Sequence, residues 1–206
     1  MPILTLKAVS KSFGALKVTD DVSFDLSDGE ALGIIGPNGA GKSTLFNLIT
    51  GNFAADSGQI FLDGRDVTRD SAMKRCESGV GRSFQIPQPF GRLSVYENLL
   101  VAARFGGTVS AADAPDFCMD ILERTCLAPQ ADREAVGLPL LQRKRLELAR
   151  AMATRPRIIL LDEIAGGLTE PECRELVATI GKFTLPARRS SGSSTYCMPS
   201  TASSSA

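Results

Sequence analysis

The stretch Gly36-Pro37-Asn38-Gly39-Ala40-Gly41-Lys42-Ser43 constrains this chain more than any other part of it. It fits the pattern GxxxxGK[ST] and stands where that pattern acquires physical meaning. Before it runs the apolar segment Ala31-Leu32-Gly33-Ile34-Ile35, and after it Leu45, Leu48 and Ile49 recur at helical spacing through residues 42–50. The spacing predicts a strand buried on both faces, a glycine loop and a helix. Such a loop turns successive main-chain N–H groups inward around phosphate oxygens, and the helix N-terminus adds a partial positive charge. Lys42 supplies a full charge to the β/γ-phosphates, Ser43 is placed to ligate Mg²⁺, and Thr44 faces the α-phosphate. A glycine-rich turn matching by chance is the alternative, and the flanking strand and helix weigh against it.

A metal-nucleotide site also needs a carboxylate near Mg²⁺ and a base near the γ-phosphate. Arg157-Ile158-Ile159-Leu160-Leu161 reads as a second buried strand, and it ends in Asp162 and Glu163 at the kind of sheet edge where α/β folds bind ligands. Asp162 is assigned to Mg²⁺ through water and Glu163 to polarising the attacking water. Two surface carboxylates at a strand end would look the same in isolation.

Elsewhere, residues 3–9 and 18–26 alternate apolar and polar, and residues 59–64 end at a turn signal, which predicts three antiparallel strands. Residues 93–155 read as a helical insertion, with a helix that begins near Pro139 and ends before Pro156. One more helix spans residues 171–182, with Pro171 suited to its first turn.

Composition removes several classes of function. Lys plus Arg and Asp plus Glu number 23 each, so no net basic field draws the chain to nucleic acid. Histidine is absent, which excludes histidine-dependent triads and histidine-liganded metals. Five cysteines without CxxC spacing fit reduced thiols rather than a disulfide scaffold or zinc ribbon. No apolar stretch approaches the ~18 residues of a membrane span, so a membrane role must come through a partner.

Taken in order, these residues resemble the nucleotide-binding domain of ATP-binding cassette (ABC) transporters over residues 3–182. The strongest likeness is to the ATPase subunits of branched-chain amino-acid importers, carried by the phosphate loop continuing as Leu45-Phe46-Asn47-Leu48-Ile49-Thr50-Gly51, then Gly81-Arg82-Ser83-Phe84-Gln85, then Leu93-Ser94-Val95-Tyr96-Glu97-Asn98. The resemblance implies an α/β fold: a P-loop NTPase core of the ABC ATPase type with an N-terminal antiparallel β subdomain, a helical insertion and the last part of the core missing. It implies ATP and Mg²⁺ as cofactors. Gln85 would sense Mg²⁺ and the attacking water on a loop that meets the transmembrane partner. Phe13 would stack on adenine with Val18 beside it, although an aromatic closing a strand accounts for Phe13 nearly as well. The implied partners are transmembrane permease subunits, a second ATPase subunit in a homo- or heterodimer and, indirectly, a periplasmic or extracellular solute-binding protein. The implied location is cytoplasmic, peripheral on the inner face of the cell membrane. A soluble ABC-type ATPase acting on nucleic acid or ribosomes and a nonfunctional remnant are the rivals.

Three departures from the family pattern stand out. Where the family has its LSGGQ-like signature this chain reads Leu138-Pro139-Leu140-Leu141-Gln142, which removes phosphate donors that such a segment would offer to the facing subunit of a head-to-tail dimer. Ile164 and Thr169 stand where proline and aspartate are usual. The histidine expected after one further strand has no counterpart.

Residues 183–206 hold few aliphatic side chains and many serines, and are expected to be disordered. The genetic code adds a second reading. Shifted by one base, the codons of Tyr196 through Pro199 give Leu, His or Tyr, and Ala, and those of Ser191 through Thr195 permit Trp, Ile, Glu, His, Val. Everything from about Phe183 is therefore expected to be out of frame, with a genuine low-complexity tail as the alternative. Loss of the true strand would leave the strands at 31–35 and 157–161 facing an unfilled slot.

Overall fold

The computed structural model describes residues 1–106, 109–184 and 195–198, with residue 184 and the last four described by backbone alone. Two sheets organise it. Strands β1 (Pro2–Phe13), β2 (Leu16–Ser27), β4 (Ser57–Leu62) and β5 (Arg65–Asp66) form an antiparallel sheet in the order β2-β1-β4-β5. The predicted antiparallel strands are present, the first two longer than expected and the third shifted back by two residues, and β5 extends the set. Its hairpin was legible in the sequence: Asp63 (φ 49°) and Gly64 (φ 74°) form the two-residue loop with positive φ that an Asp-Gly turn favours.

The second sheet is parallel, ordered β3 (Ala31–Gly33), β8 (Thr195–Met198), β7 (Ile158–Leu161), β6 (Val80–Ser83). In β7 the side-chain alternation explains its place. Ile158 and Leu160 join the core with Phe46, Leu48 and Ile49 of α1 (Lys42–Thr50), while Ile159 and Leu161 join Leu148, Leu176 and Ile180 on the opposite face. Helix α1 is anchored at its far end by Arg75 of α2 (Ala72–Glu77). That guanidinium is fully buried and donates to the carbonyls of Leu48, Ile49 and Thr68, a cation at a helix C-terminus. The helical insertion is a separate packing unit of α3 (Val95–Phe105), α4 (Ala114–Arg124) and α5 (Leu140–Ala153), with Leu99, Leu122 and Leu146 in its own core. Ser94 and Glu97 form a capping box that starts α3.

Several expectations are corrected. The phosphate-loop strand is not buried on both faces. It is regular only over Ala31–Gly33, Leu32 and Ile34 are half-buried, and Ile35 is 70% exposed. The reason is positional: among the described residues β3 is an edge strand, and Leu32 and Ile34, though packed against the core, also line a cleft of about 410 Å³. The helix expected at 171–182 is α6 (Glu170–Thr184), which reaches past the expected start of the out-of-frame tail. Phe183 is buried against Leu176 and Ile180, with the Arg124 guanidinium 4.1 Å from its ring centre.

The unfilled slot is corrected as well. Thr195–Met198 run parallel between β3 and β7, with Cys197 opposite both Leu32 and Leu160. These four residues therefore depart from the expected disorder, while residues 185–194 and 199–206 lie outside the described residues. The physical reason is that two facing strand edges present main-chain donors and acceptors, which any non-proline backbone can satisfy whatever its side chains. Proline at that position removes an N–H from a strand paired on both sides. Cys197→Pro is expected to cost roughly 2 kcal/mol and to lower Tm by roughly 4–8 °C in a chain of this size. Calorimetry reads the shift, and an unchanged Tm would return these residues to a disordered tail.

Candidate functional site

The phosphate loop leaves β3 and enters α1 through Gly39 (φ 83°) and Gly41 (φ 84°), both in the left-handed region that favours glycine. Gly41 is fixed by space as well as by φ, since a Cβ there would lie 2.6 Å from the Val18 carbonyl oxygen. No side chain caps the first turn of α1. Its N-terminal donors are thus left for an oxyanion, the arrangement a phosphate requires. The Lys42 ammonium is folded onto the loop, donating to the carbonyls of Gly36 (2.6 Å) and Pro37 (2.9 Å). Among the described residues no carboxylate pairs with it. Asn38, Ala40 and Ser43 are exposed on the loop and the first turn, and Thr44 is half-buried behind them.

Glu163 and Gln85, assigned from separate stretches of sequence, meet. Gln85 Nε2 donates to Glu163 Oε2 at 2.5 Å. Glu163 holds φ 43°, unusual for a side chain with a Cβ, and conformations of that kind concentrate at functional sites. Asp162, one residue earlier, is buried and committed on Oδ2 to Arg82 at 3.0 Å. Arg82 also donates to Asn47 Oδ1, tying the end of β7 to α1. A guanidinium beside Asp162 was not anticipated from sequence, because an arginine in a short strand carries no mark of which carboxylate it will meet. The residue types present suit a metal-nucleotide, with an exposed Ser43 hydroxyl at the loop, Asp162 Oδ1 outside the ion pair, and Gln85 bonded to Glu163.

Val18 is half-buried against the phosphate loop and lines the cleft with Lys42 and Ala40. Phe13 does not line that cleft. It is 45% exposed at the end of β1, edge-on to Phe53 at 5.5 Å between ring centres, with the Lys11 ammonium 5.6 Å from its own.

In the region of the altered signature, Pro139 precedes the first residue of α5 with φ −56° and ψ 161°, and no side chain caps that helix. Leu140 is 36% exposed, and its Cδ2 comes within 3.2 Å of the place a Cβ would take at Gly167. Thr169 accounts for its own presence. Glu172 Oε2 accepts from both its N–H (2.8 Å) and its hydroxyl (2.7 Å), a cap on α6.

Comparison with known proteins bears on the family and the fold. The family model for ABC transporters matches residues 19–166. BraF, the high-affinity branched-chain amino acid transport ATP-binding protein of Pseudomonas aeruginosa, is 36% identical over 196 residues, covering 88% of this chain and 77% of the relative. LptB, the lipopolysaccharide export system ATP-binding protein of Escherichia coli, is 35% identical over 168 residues, covering 82% of this chain and 70% of the relative. A solved nucleotide-free ATP-binding cassette from an ABC transporter superposes with a TM-score of 0.82 at 29% identity, over 97% of this chain and 82% of that one. The chain belongs to the ABC transporter family, in its class of ATP-hydrolysing subunits. The expected fold class and family resemblance both hold. No helix among the described residues is long and apolar enough to cross a membrane.

Proposed function

We propose that this chain binds ATP with Mg²⁺ on residues 36–44 and hydrolyses it with Glu163 as base, powering an importer of branched-chain amino acids or a similar small solute. The observation that carries this reading is the Gln85–Glu163 hydrogen bond at the end of β7, in a fold whose phosphate loop holds an ammonium without a carboxylate partner among the described residues. Ser43 and Asp162 would hold the metal, Gln85 would face it and the attacking water, and the exposed Phe13 ring and Val18 would each offer an apolar face to the adenine. Mg²⁺ supplies charge neutralisation on the phosphates.

The working unit is a dimer of ATPase subunits beneath transmembrane permease subunits, on the cytoplasmic face of the membrane. A solute-binding protein acts on the far side. Phe84, Ile86 and Phe90 are 48%, 71% and 47% exposed on the loop that carries Gln85, an apolar surface suited to a permease segment. A groove of about 260 Å³ lined by Phe84, Cys76, Ala102 and Thr154 lies alongside.

In Pseudomonas aeruginosa cells lacking BraF, the chain is expected to restore uptake of radiolabelled leucine, isoleucine and valine, and the Glu163→Gln variant to restore none. No uptake, together with rescue of Escherichia coli cells depleted of LptB, would assign the chain to a lipid exporter instead.

A further inference from the structure

Three charged side chains on one face of α5 have no part in the site described above. Lys144, Glu147 and Arg150 follow one another at intervals of three residues, so they project from the same side of the helix. Lys144 and Glu147 are each only 5% exposed. Ionisable groups are rarely held at such depth unless each is matched by a specific partner.

All three find partners in the same short segment. Lys144 Nζ donates to the Gln85 carbonyl at 2.5 Å, and Arg150 donates to the Gln88 carbonyl at 2.9 Å. The Glu147 carboxylate accepts from the main-chain N–H groups of Gln88 and Phe84, and pairs with Arg150 at 3.2 Å. The Arg150 guanidinium also lies 5.0 Å from the Phe90 ring centre. Residues 84–88 are otherwise largely exposed, with Phe84, Gln85, Ile86 and Gln88 facing solvent. Burial lowers the Lys144 ammonium's pKa from the usual lysine range while the Glu147 and Glu163 carboxylates act to raise it, and burial raises that of Glu147 while Arg150 opposes it. The helix therefore grips the main chain of the loop, and the loop in turn carries the side chain that reaches Glu163.

We propose that Lys144, Glu147 and Arg150 are positioning residues: a clasp through which α5, the helix that begins at the altered signature, sets where the Gln85 amide meets Glu163. The inference rests on the reading of Gln85 and Glu163 as the pair that handles the attacking water. A shift of α5 along or about its axis displaces the Gln85 main chain directly, so events at the Pro139 end of the helix reach the base without passing through the sheet.

The test combines Lys144→Met, which keeps the stem and removes the donor, with Gln85→Ala and the double variant in the full chain. Hydrogen exchange read by mass spectrometry should show amides of residues 84–88 exchanging about tenfold faster in Lys144→Met, since a charge-assisted hydrogen bond is lost. Mg-ATP affinity by equilibrium dialysis and KM should stay within about twofold, while kcat falls about tenfold. The double variant should turn over no more slowly than Gln85→Ala alone, because Lys144 acts through Gln85. Should Lys144→Met fail to fold, Arg150→Gln at the more exposed end of the clasp carries the same expectation for the Gln88 amide. Unchanged exchange, or a Lys144 effect that adds fully to that of Gln85→Ala, would overturn the proposal. Failure of the wild-type chain to bind Mg-ATP would instead count against the functional reading, and the exchange result would still decide whether the clasp exists.

Discussion

Glu163→Gln is expected to leave Mg-ATP binding within about twofold of wild type and to lower turnover by about two to three orders of magnitude, the scale of removing a positioned general base. The side chain stands at the end of a strand buried on both faces, in a left-handed conformation, with its carboxylate held by the Gln85 amide. Glutamine keeps the length and shape of that side chain. It loses the negative charge that draws a proton from water, and it sets one amide against another where an amide met a carboxylate. Phosphate release should therefore collapse while dialysis shows nucleotide still bound. Turnover that persists within a few-fold would make Glu163 a structural carboxylate that orders the Gln85 loop. The ratio of the two turnover rates is the quantity to read.

The parts of the fold that were legible in the sequence are those where one local rule decides. The glycine loop needed only its spacing and flanks, and β7 needed only an apolar run of strand length. Asp63-Gly64 needed only the preference of Asp-Gly for positive φ. Failures came where a non-local partner decides. The run Ala31-Leu32-Gly33-Ile34-Ile35 has the composition of a doubly buried strand, and nothing in it reports that β3 lies at a sheet edge beside a cleft. Residues 195–198 have the composition of a disordered tail, and only the two facing edges of β3 and β7 give their backbone a place.

The site divides in the same way. Lys42, Ser43, Asp162 and Glu163 were assigned because catalysis on phosphates demands those groups at the ends of those strands. The resemblance singled out Gln85 for the metal and the attacking water; its contact with Glu163, across 78 positions of sequence, is one that no periodicity encodes. Arg82, Lys144, Glu147 and Arg150 passed without a role because charged residues in a strand or on a helix usually face water. Their burial appears only once β6, the loop that follows it and α5 are assembled. Spacing by threes along α5 was the one available signal, and it does not separate a solvated stripe from a buried clasp.

Nucleotide binding depends most heavily on the phosphate loop, and Lys42→Ala tests it with the second large effect. The Lys42 ammonium bonds only to two main-chain carbonyls of its own loop in the described contacts, so a nucleotide phosphate would gain its charge without breaking an ion pair. Removing it deletes about two charge-assisted hydrogen bonds to phosphate, and the expected loss of Mg-ATP affinity is about a hundredfold or more. Gly36 and Pro37 lie on the loop outside the packed core, so the thermal transition should move little. Equilibrium dialysis of radiolabelled ATP with excess Mg²⁺ against both proteins is the direct measurement. One saturable nucleotide per wild-type chain, lost over the same concentration range in Lys42→Ala, is the predicted result. Equal binding by the two proteins, or none by the wild type, would contradict the assignment of residues 36–44 as the nucleotide site.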